Sequence, residues 1–179
     1  MLAFDIETTG LDRARCDITC AAVCDRDAGI RRVFMFCDGD DPEAFMAMLD
    51  AADRLCAFNG VRFDIPFIQE RWRVPWARVE GWRRKTHDVF EACRLCLDCT
   101  FGLDALLGAN GLSGKTGSGA NAVELWRAGR WAELGSYCLA DAEQTHAVSS
   151  KERICIPKAG VEMRGWQGFT QTVAGGRAA

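Results

Sequence analysis

Met1-Leu2-Ala3-Phe4-Asp5-Ile6-Glu7 is the stretch from which the fold is read. It alternates with a period of two, the signature of a β-strand. On a strand, residues i and i+2 face the same side. Asp5 and Glu7 therefore project together, while Leu2, Phe4 and Ile6 supply apolar flanks. Like charges at close range are costly unless a cation lies between them. Paired carboxylate oxygens are what Mg²⁺ or Mn²⁺ accepts. A solvated edge-strand face would give the same pattern, and Asp-x-Glu alone does not separate the two.

Two further segments bear on that choice. Asn59-Gly60-Val61-Arg62-Phe63-Asp64 follows a short apolar strand, Leu55 to Asn59, and enters a helical pattern from Phe63 to Arg73. Asp64 alone could be a helix-start carboxylate. Tyr137-Cys138-Leu139-Ala140-Asp141 lies inside the longest helical pattern, Trp131 to Ser150. At i and i+4, Tyr137 and Asp141 share a helix face. Aspartate has poor propensity in a helix interior, so something other than propensity holds it there. Tyr137 is the only tyrosine, against ten phenylalanines, which points to a use for its hydroxyl. The alternative for Tyr137 is a surface or half-buried aromatic.

In this order the three segments resemble the motifs of the DEDD 3′–5′ exonucleases, in the tyrosine (DEDDy) subgroup. Phe4 to Asp12, reading FDIETTGLD, is similar to the first motif, Asn59 to Asp64 to the second in its N-x-x-x-F-D form, and Tyr137 to Ala142, reading YCLADA, to the third. The relatives it suggests are the proofreading exonuclease domains of family B DNA polymerases and related stand-alone bacterial and viral exonucleases. The resemblance covers residues 1–150. It implies an RNase H-like α/β fold: a five-stranded mixed sheet flanked by helices, with 151–179 as a partly irregular C-terminal extension.

The implied activity is metal-dependent 3′–5′ hydrolysis of phosphodiesters at single-stranded 3′ ends, DNA favoured. The same chemistry on RNA, or a catalytically silent nucleic-acid-binding module, are the alternatives. Two divalent cations, Mg²⁺ or Mn²⁺, are the implied cofactors. By resemblance Asp5, Glu7 and Asp141 would hold one and Asp5 and Asp64 the other, with Tyr137 orienting the attacking water. A tyrosine pKa near 10 makes positioning a safer role than base. Thr8, Thr9 and Leu11 would line the terminal base, and Asn59 and Phe63 would touch the terminal nucleotides. Asp88 resembles an acidic position seen between the second and third motifs in some relatives, and would serve equally as a helix cap for Val89 to Leu97. A replication or repair protein is the implied kind of partner.

The rest of the chain is consistent with one domain. It has 179 residues, 49% of them apolar and 26% charged, which excludes a mostly disordered chain. No window approaches about 18 consecutive apolar residues, so no membrane span is expected. Nothing at the N-terminus resembles a secretory leader, so an intracellular protein is expected. A net charge of −3 argues against a uniformly basic, sequence-blind coat for nucleic acid. Any such site must be local. Ile18 to Asp25 and Arg32 to Cys37 read as strands that could form a hairpin across Asp25 to Gly29. Pro42 to Arg54, Val89 to Leu97, Leu103 to Ala109 and Asn121 to Ala128 read as helices, and no period is visible from Ile154 on.

Ten cysteines without a leader read as reduced thiols, most of them small buried hydrophobes. Cys93, Cys96 and Cys99 could instead ligate zinc with a distant fourth group such as Cys138. Arg71 to Lys85 carries six basic residues and three tryptophans, Trp72, Trp76 and Trp82. That composition suits a single-strand groove, with Trp72 and Arg73 in contact with substrate, or equally core tryptophans under a solvated basic face. Ser113 to Gly119 fails P-loop spacing but could touch phosphates through Lys115. Of the two histidines, His146 reads as a helix-surface residue.

Overall fold

A computed structural model of the chain describes residues 1–112, 119–157 and 161–164. The strands are β1 (Leu2–Thr8), β2 (Ile18–Asp25), β3 (Ile30–Met35), β4 (Leu55–Ala57), β5 (Thr86–Asp88), β6 (Arg153–Ile156) and β7 (Val161–Arg164). The helices are α1 (Pro42–Ala51), α2 (Asp64–Trp72), α3 (Trp76–Lys85), α4 (Val89–Leu97), α5 (Leu103–Ala109), α6 (Gly119–Arg127) and α7 (Trp131–Ser149). Five strands form one sheet in the order β3-β2-β1-β4-β5. β1–β2 and β2–β3 pair antiparallel, while β1–β4 and β4–β5 pair parallel. This is the mixed five-stranded α/β sheet that the family resemblance implies.

The alternation along β1 explains how the layers stack. Leu2, Phe4 and Ile6 join Phe34, Phe45, Ile65, Phe67 and Trp82 in a large cluster on one face. Ala3 faces the other way, with Cys20, Ala22, Cys24 and Cys56 of the neighbouring strands and Cys138 and Ala142 of α7. Small side chains on that face let the helix lie close. At Gly135 of α7 an added Cβ would come within 3.1 Å of Val33 and 3.2 Å of Met35. Asp5 and Glu7 share Ala3's register and so point to the side where α7 lies. Five cysteines, Cys20, Cys24, Cys56, Cys93 and Cys138, are fully buried, as expected of small hydrophobes, whereas Cys37 and Cys96 are exposed.

Several elements differ from the sequence reading. β3 ends at Met35, and Phe36–Asp38 turns into a 3₁₀ helix. α1 stops at Ala51, three residues early, after starting on the Asp41 side chain, which accepts from Glu43 N–H at 2.9 Å. Trp76–Lys85 is a helix with Val79 and Trp82 buried, and Thr86–Asp88 is an edge strand. Past Ser149 the chain forms the β6–β7 hairpin. Ile154 and Ile156 pack with Val89, Leu106, Leu107 and Val148. The Asn110 amide pairs with both backbone groups of Cys155 at 2.8 and 2.9 Å, which fixes that hairpin to the end of α5. His146 is 2% exposed, not a surface residue. Among the described residues no helix is long and apolar enough to cross a membrane.

Candidate active site

β1 and α7 bring three carboxylates together. Oxygens of Asp5, Glu7 and Asp141 all lie within 4.8 Å of one another. The β1–β2 register shifts between Glu7 and Thr8, an irregularity of the kind that re-aims side chains beside sites. There the Thr19 hydroxyl donates to the Glu7 carbonyl at 3.0 Å. Asp141 is held in mid-helix because Cys138 and Ala142, on the same side of α7, pack against the sheet. The Cys138 thiol donates to the Asp5 carbonyl at 3.5 Å and lies 3.6 Å from its carboxylate. Burial, with the adjacent Cys20 thiol and the charges of Asp5 and Glu7, pushes the Cys138 pKa well up, so it stays a protonated donor.

The fourth carboxylate arrives through a tight turn. Asn59 adopts a left-handed backbone, φ 65°. At Gly60 a Cβ would come within 2.5 Å of Ala57 Cβ, so only glycine fits. Asp88 clamps this turn: its carboxylate accepts from Asn59 N–H at 3.0 Å and Val61 N–H at 2.9 Å. It also accepts from Glu91 N–H at 3.1 Å, which makes it the N-cap of α4. The turn delivers Asp64 as the first residue of α2, where its Oδ1 accepts from Ile6 N–H at 3.0 Å. Burial pushes the Asp64 carboxyl up to about 7, against the Ile6 hydrogen bond and with help from Asp88 and Asp141.

Asp5, Glu7, Asp64 and Asp141 line one cleft of about 470 Å³, with Leu11, Asn59 and Phe63. Leu11 is 84% exposed at this site. Phe63 leans on Phe67, ring centres 5.4 Å apart. Thr8 and Thr9 shape the following loop: Thr8 Oγ1 donates to the Gly10 carbonyl at 2.7 Å, and Thr9 Oγ1 accepts from Asp17 N–H at 2.9 Å. The sequence reading missed Phe58, Phe90 and Asp104, which also line the cleft. Phe58 and Phe90 meet edge-on at 5.4 Å. Phe58 directly before Asn59 and Phe90 two residues after Asp88 were the available signals, and none marked Asp104.

Other expected residues lie elsewhere. Tyr137 is one helical turn before Asp141. It packs in the α7-side cluster and borders a depression with Asn121 and Leu125 of α6, not the carboxylate cleft. Trp72 packs edge-on against Phe36 and Phe45 at 5.0 and 6.2 Å. Arg73 is the left-handed C-cap of α2 and exposed, and neither residue lines the cleft. Lys115 lies outside the described residues. The basic run is largely engaged within the protein: Arg71 pairs with Asp17, Arg84 with Glu80, and Arg78 with Glu43 and Asp50. Cys93 is buried and Cys96 exposed, and neither described cluster able to hold a metal contains a cysteine.

The donor set suits a hard cation. Asp5, Glu7 and Asp141 offer carboxylate oxygens only, the chemistry that Mg²⁺ or Mn²⁺ accepts. A family model of the RNase H superfamily matches residues 2–148. The chain belongs to the RNase H superfamily. All three motif segments fall inside the matched region. Among solved structures, the chain is similar to the family B DNA polymerase of the hyperthermophilic archaeon Pyrobaculum calidifontis, at 21% identity with a TM-score of 0.63. The match covers 82% of this chain and 23% of the polymerase chain, so this RNase H domain spans about a quarter of that protein's length. At that identity the likeness is one of fold. No curated protein matches the chain.

Proposed function

We propose that this chain is a metal-dependent 3′–5′ exonuclease of the DEDDy type, acting on single-stranded 3′ ends, DNA before RNA. The observation that carries the reading is the convergence of Asp5, Glu7 and Asp141 within 4.8 Å in a cleft that also receives Asp64. Asp5, Glu7 and Asp141 would hold one divalent cation, and Asp5 with Asp64 a second. Bound there, such ions supply charge stabilisation to the attacking and leaving oxygens of an in-line displacement. The chain's own groups do the positioning. Asn59 and Phe63 face the terminal nucleotides from the cleft wall, and exposed Leu11 lies against the last base. Tyr137, one helical turn before Asp141, orients the attacking water. The preference for DNA is supported by the fold shared with a DNA polymerase. A replication or repair protein would hand over the end.

The test is a gel assay on 5′-labelled single-stranded DNA and RNA of one sequence, with Mg²⁺ or Mn²⁺, beside Asp5→Ala. A ladder shrinking from the 3′ end is expected. Asp5→Ala should slow it at least about a thousand-fold, since metal stabilisation is worth several kcal/mol and each 1.36 kcal/mol is tenfold. No metal-dependent cleavage of either substrate, or full activity in the variant, overturns the reading.

A further inference from the structure

A second constellation lies at the other end of β2. Ligand atoms of Asp25, Asp27 and His146 are all within 4.8 Å of one another. Cys20 is the β2 partner of Glu7. Asp25 is five residues further along, about 17 Å at 3.3–3.4 Å per residue, so this group is separate from the cleft.

Acidic residues near a turn are common on protein surfaces, and the imidazole is what sets this group apart. His146 is 2% exposed, yet its Nε2 has no hydrogen-bond partner among the described residues. A buried ring nitrogen left in that state is costly. Nε2 faces Asp25 Oδ1 at 3.6 Å, too far for an N–H···O bond. On the other side of the ring, Nδ1 lies 3.5 Å from Ser150 Oγ. With the proton on Nδ1 toward Ser150, Nε2 presents its lone pair to the carboxylates. Two ligands about 2.0–2.1 Å from a tetrahedral zinc ion lie about 3.4 Å from each other, within the 4.8 Å that spans the ligand atoms of this group.

The Asp25 carboxylate is held ready for the same centre. Asp25 Oδ1 accepts from Asp27 N–H at 3.1 Å and Ala28 N–H at 3.2 Å, and Oδ2 from the Met1 ammonium at 2.9 Å. These three donors fix the Asp25 rotamer and leave one of its roughly four lone-pair sites, on Oδ2, for a further ligand. Asp27 is exposed and gives access from solvent. One imidazole with two carboxylates suits zinc better than Mg²⁺, which prefers oxygen donors and keeps its waters.

We propose that Asp25, Asp27 and His146 form a divalent-cation site, zinc being the best-fitting ion, that staples the β2–β3 turn to the last turns of α7. The ion would anchor the helix that carries Asp141, at a point remote from the chemistry. The assignment does not depend on the exonuclease reading.

His87 and His146 are the only histidines, so imidazole-selective ¹⁵N–¹H NMR resolves both, with His146→Gln giving the assignment. Zinc is titrated into the full chain with excess Mg²⁺ present to occupy all-oxygen sites. The His146 Nε2 resonance should move within the first bound equivalent while His87 stays. Asp27→Asn, at an exposed position where the fold tolerates it, should weaken the zinc affinity read from that resonance at least about ten-fold. Asp5→Ala should leave the affinity unchanged. A His146 resonance that stays in place after bound zinc exceeds one equivalent overturns the site, because the thiols have then taken the metal. So does a shift that Asp27→Asn leaves untouched.

Discussion

Asp64 and Asp50 are both aspartates at helix ends, in opposite electrostatic surroundings. At the end of α1, Asp50 receives Arg78 at 2.6 and 2.9 Å and Trp82 Nε1 at 2.7 Å. Arg78 also forks onto Glu43 at 2.6 and 2.9 Å. Burial opposes ionisation of Asp50, yet these bonds hold its carboxyl below the usual range, and Arg78 does the same for Glu43. At the start of α2, burial and two neighbouring carboxylates push Asp64 up instead. The first arrangement supports the fold. The second works against it, and such groups concentrate at functional sites.

The comparison breaks first at Trp82. Its ring is 1% exposed and its N–H is spent on Asp50. Trp82→Ala should cost about 3–5 kcal/mol in urea unfolding while leaving cleavage per folded molecule unchanged. A variant of wild-type stability that no longer binds single strands would return this tryptophan to the groove reading. On the other side of the comparison, Asp64→Asn keeps an oxygen for Ile6 N–H and removes a charge. The folded pKa is raised to about 7, so the cost of ionising Asp64 is absent below about pH 4 and complete above about pH 7. In metal-free buffer the variant should gain on wild type as pH rises through that window, by on the order of 4 kcal/mol. It should cleave far more slowly. Equal stability at pH 8 would mean that the carboxylate is satisfied without a cation.

His87 sharpens the point, because burial drives its shift. Its pKa is lowered to about 4. The sign is opposite to that of Asp64. The contribution is fully present above about pH 6.5 and is lost as pH falls toward 4, when the unfolded chain takes the proton first. Wild type should lose up to about 3 kcal/mol across that window relative to His87→Gln, read from thermal midpoints against pH. Parallel curves for the two proteins would remove burial as the cause.

What could be read from the sequence follows physical scale. The strand carrying Asp5 and Glu7 was legible because period two survives over seven residues, and the ordering of the three motifs led to the RNase H-like sheet. β5 and β6 are three and four residues long, too short to show a period. Trp76–Lys85 hid its helical spacing because Val79 and Trp82 are its only fully buried positions amid charged residues. His146 looked exposed because α7 is covered on more than one side, by the sheet, by α6 and by α5, so its buried positions do not form one stripe. Tyr137 borders a depression with Asn121 and Leu125 of α6, a neighbourhood set by packing that no spacing along the chain encodes.

The smallest expected effect separates scaffold from groove most directly. Arg78 is only partly screened, with a side chain 24% exposed, and it bridges two carboxylates. Pairs of this kind are worth about 1 kcal/mol or less, so Arg78→Ala should lower stability by about that much, and less in high salt. A guanidinium already forked between Glu43 and Asp50 has little left for a phosphate. The salt dependence of single-strand binding should therefore be the same in wild type and Arg78→Ala. Removing one cation that neutralises a phosphate lowers the slope of log affinity against log salt by about one. A slope reduced by that amount would show that Arg78 leaves its carboxylates for the substrate, and would make the α1–α3 cluster part of the nucleic-acid surface rather than its support.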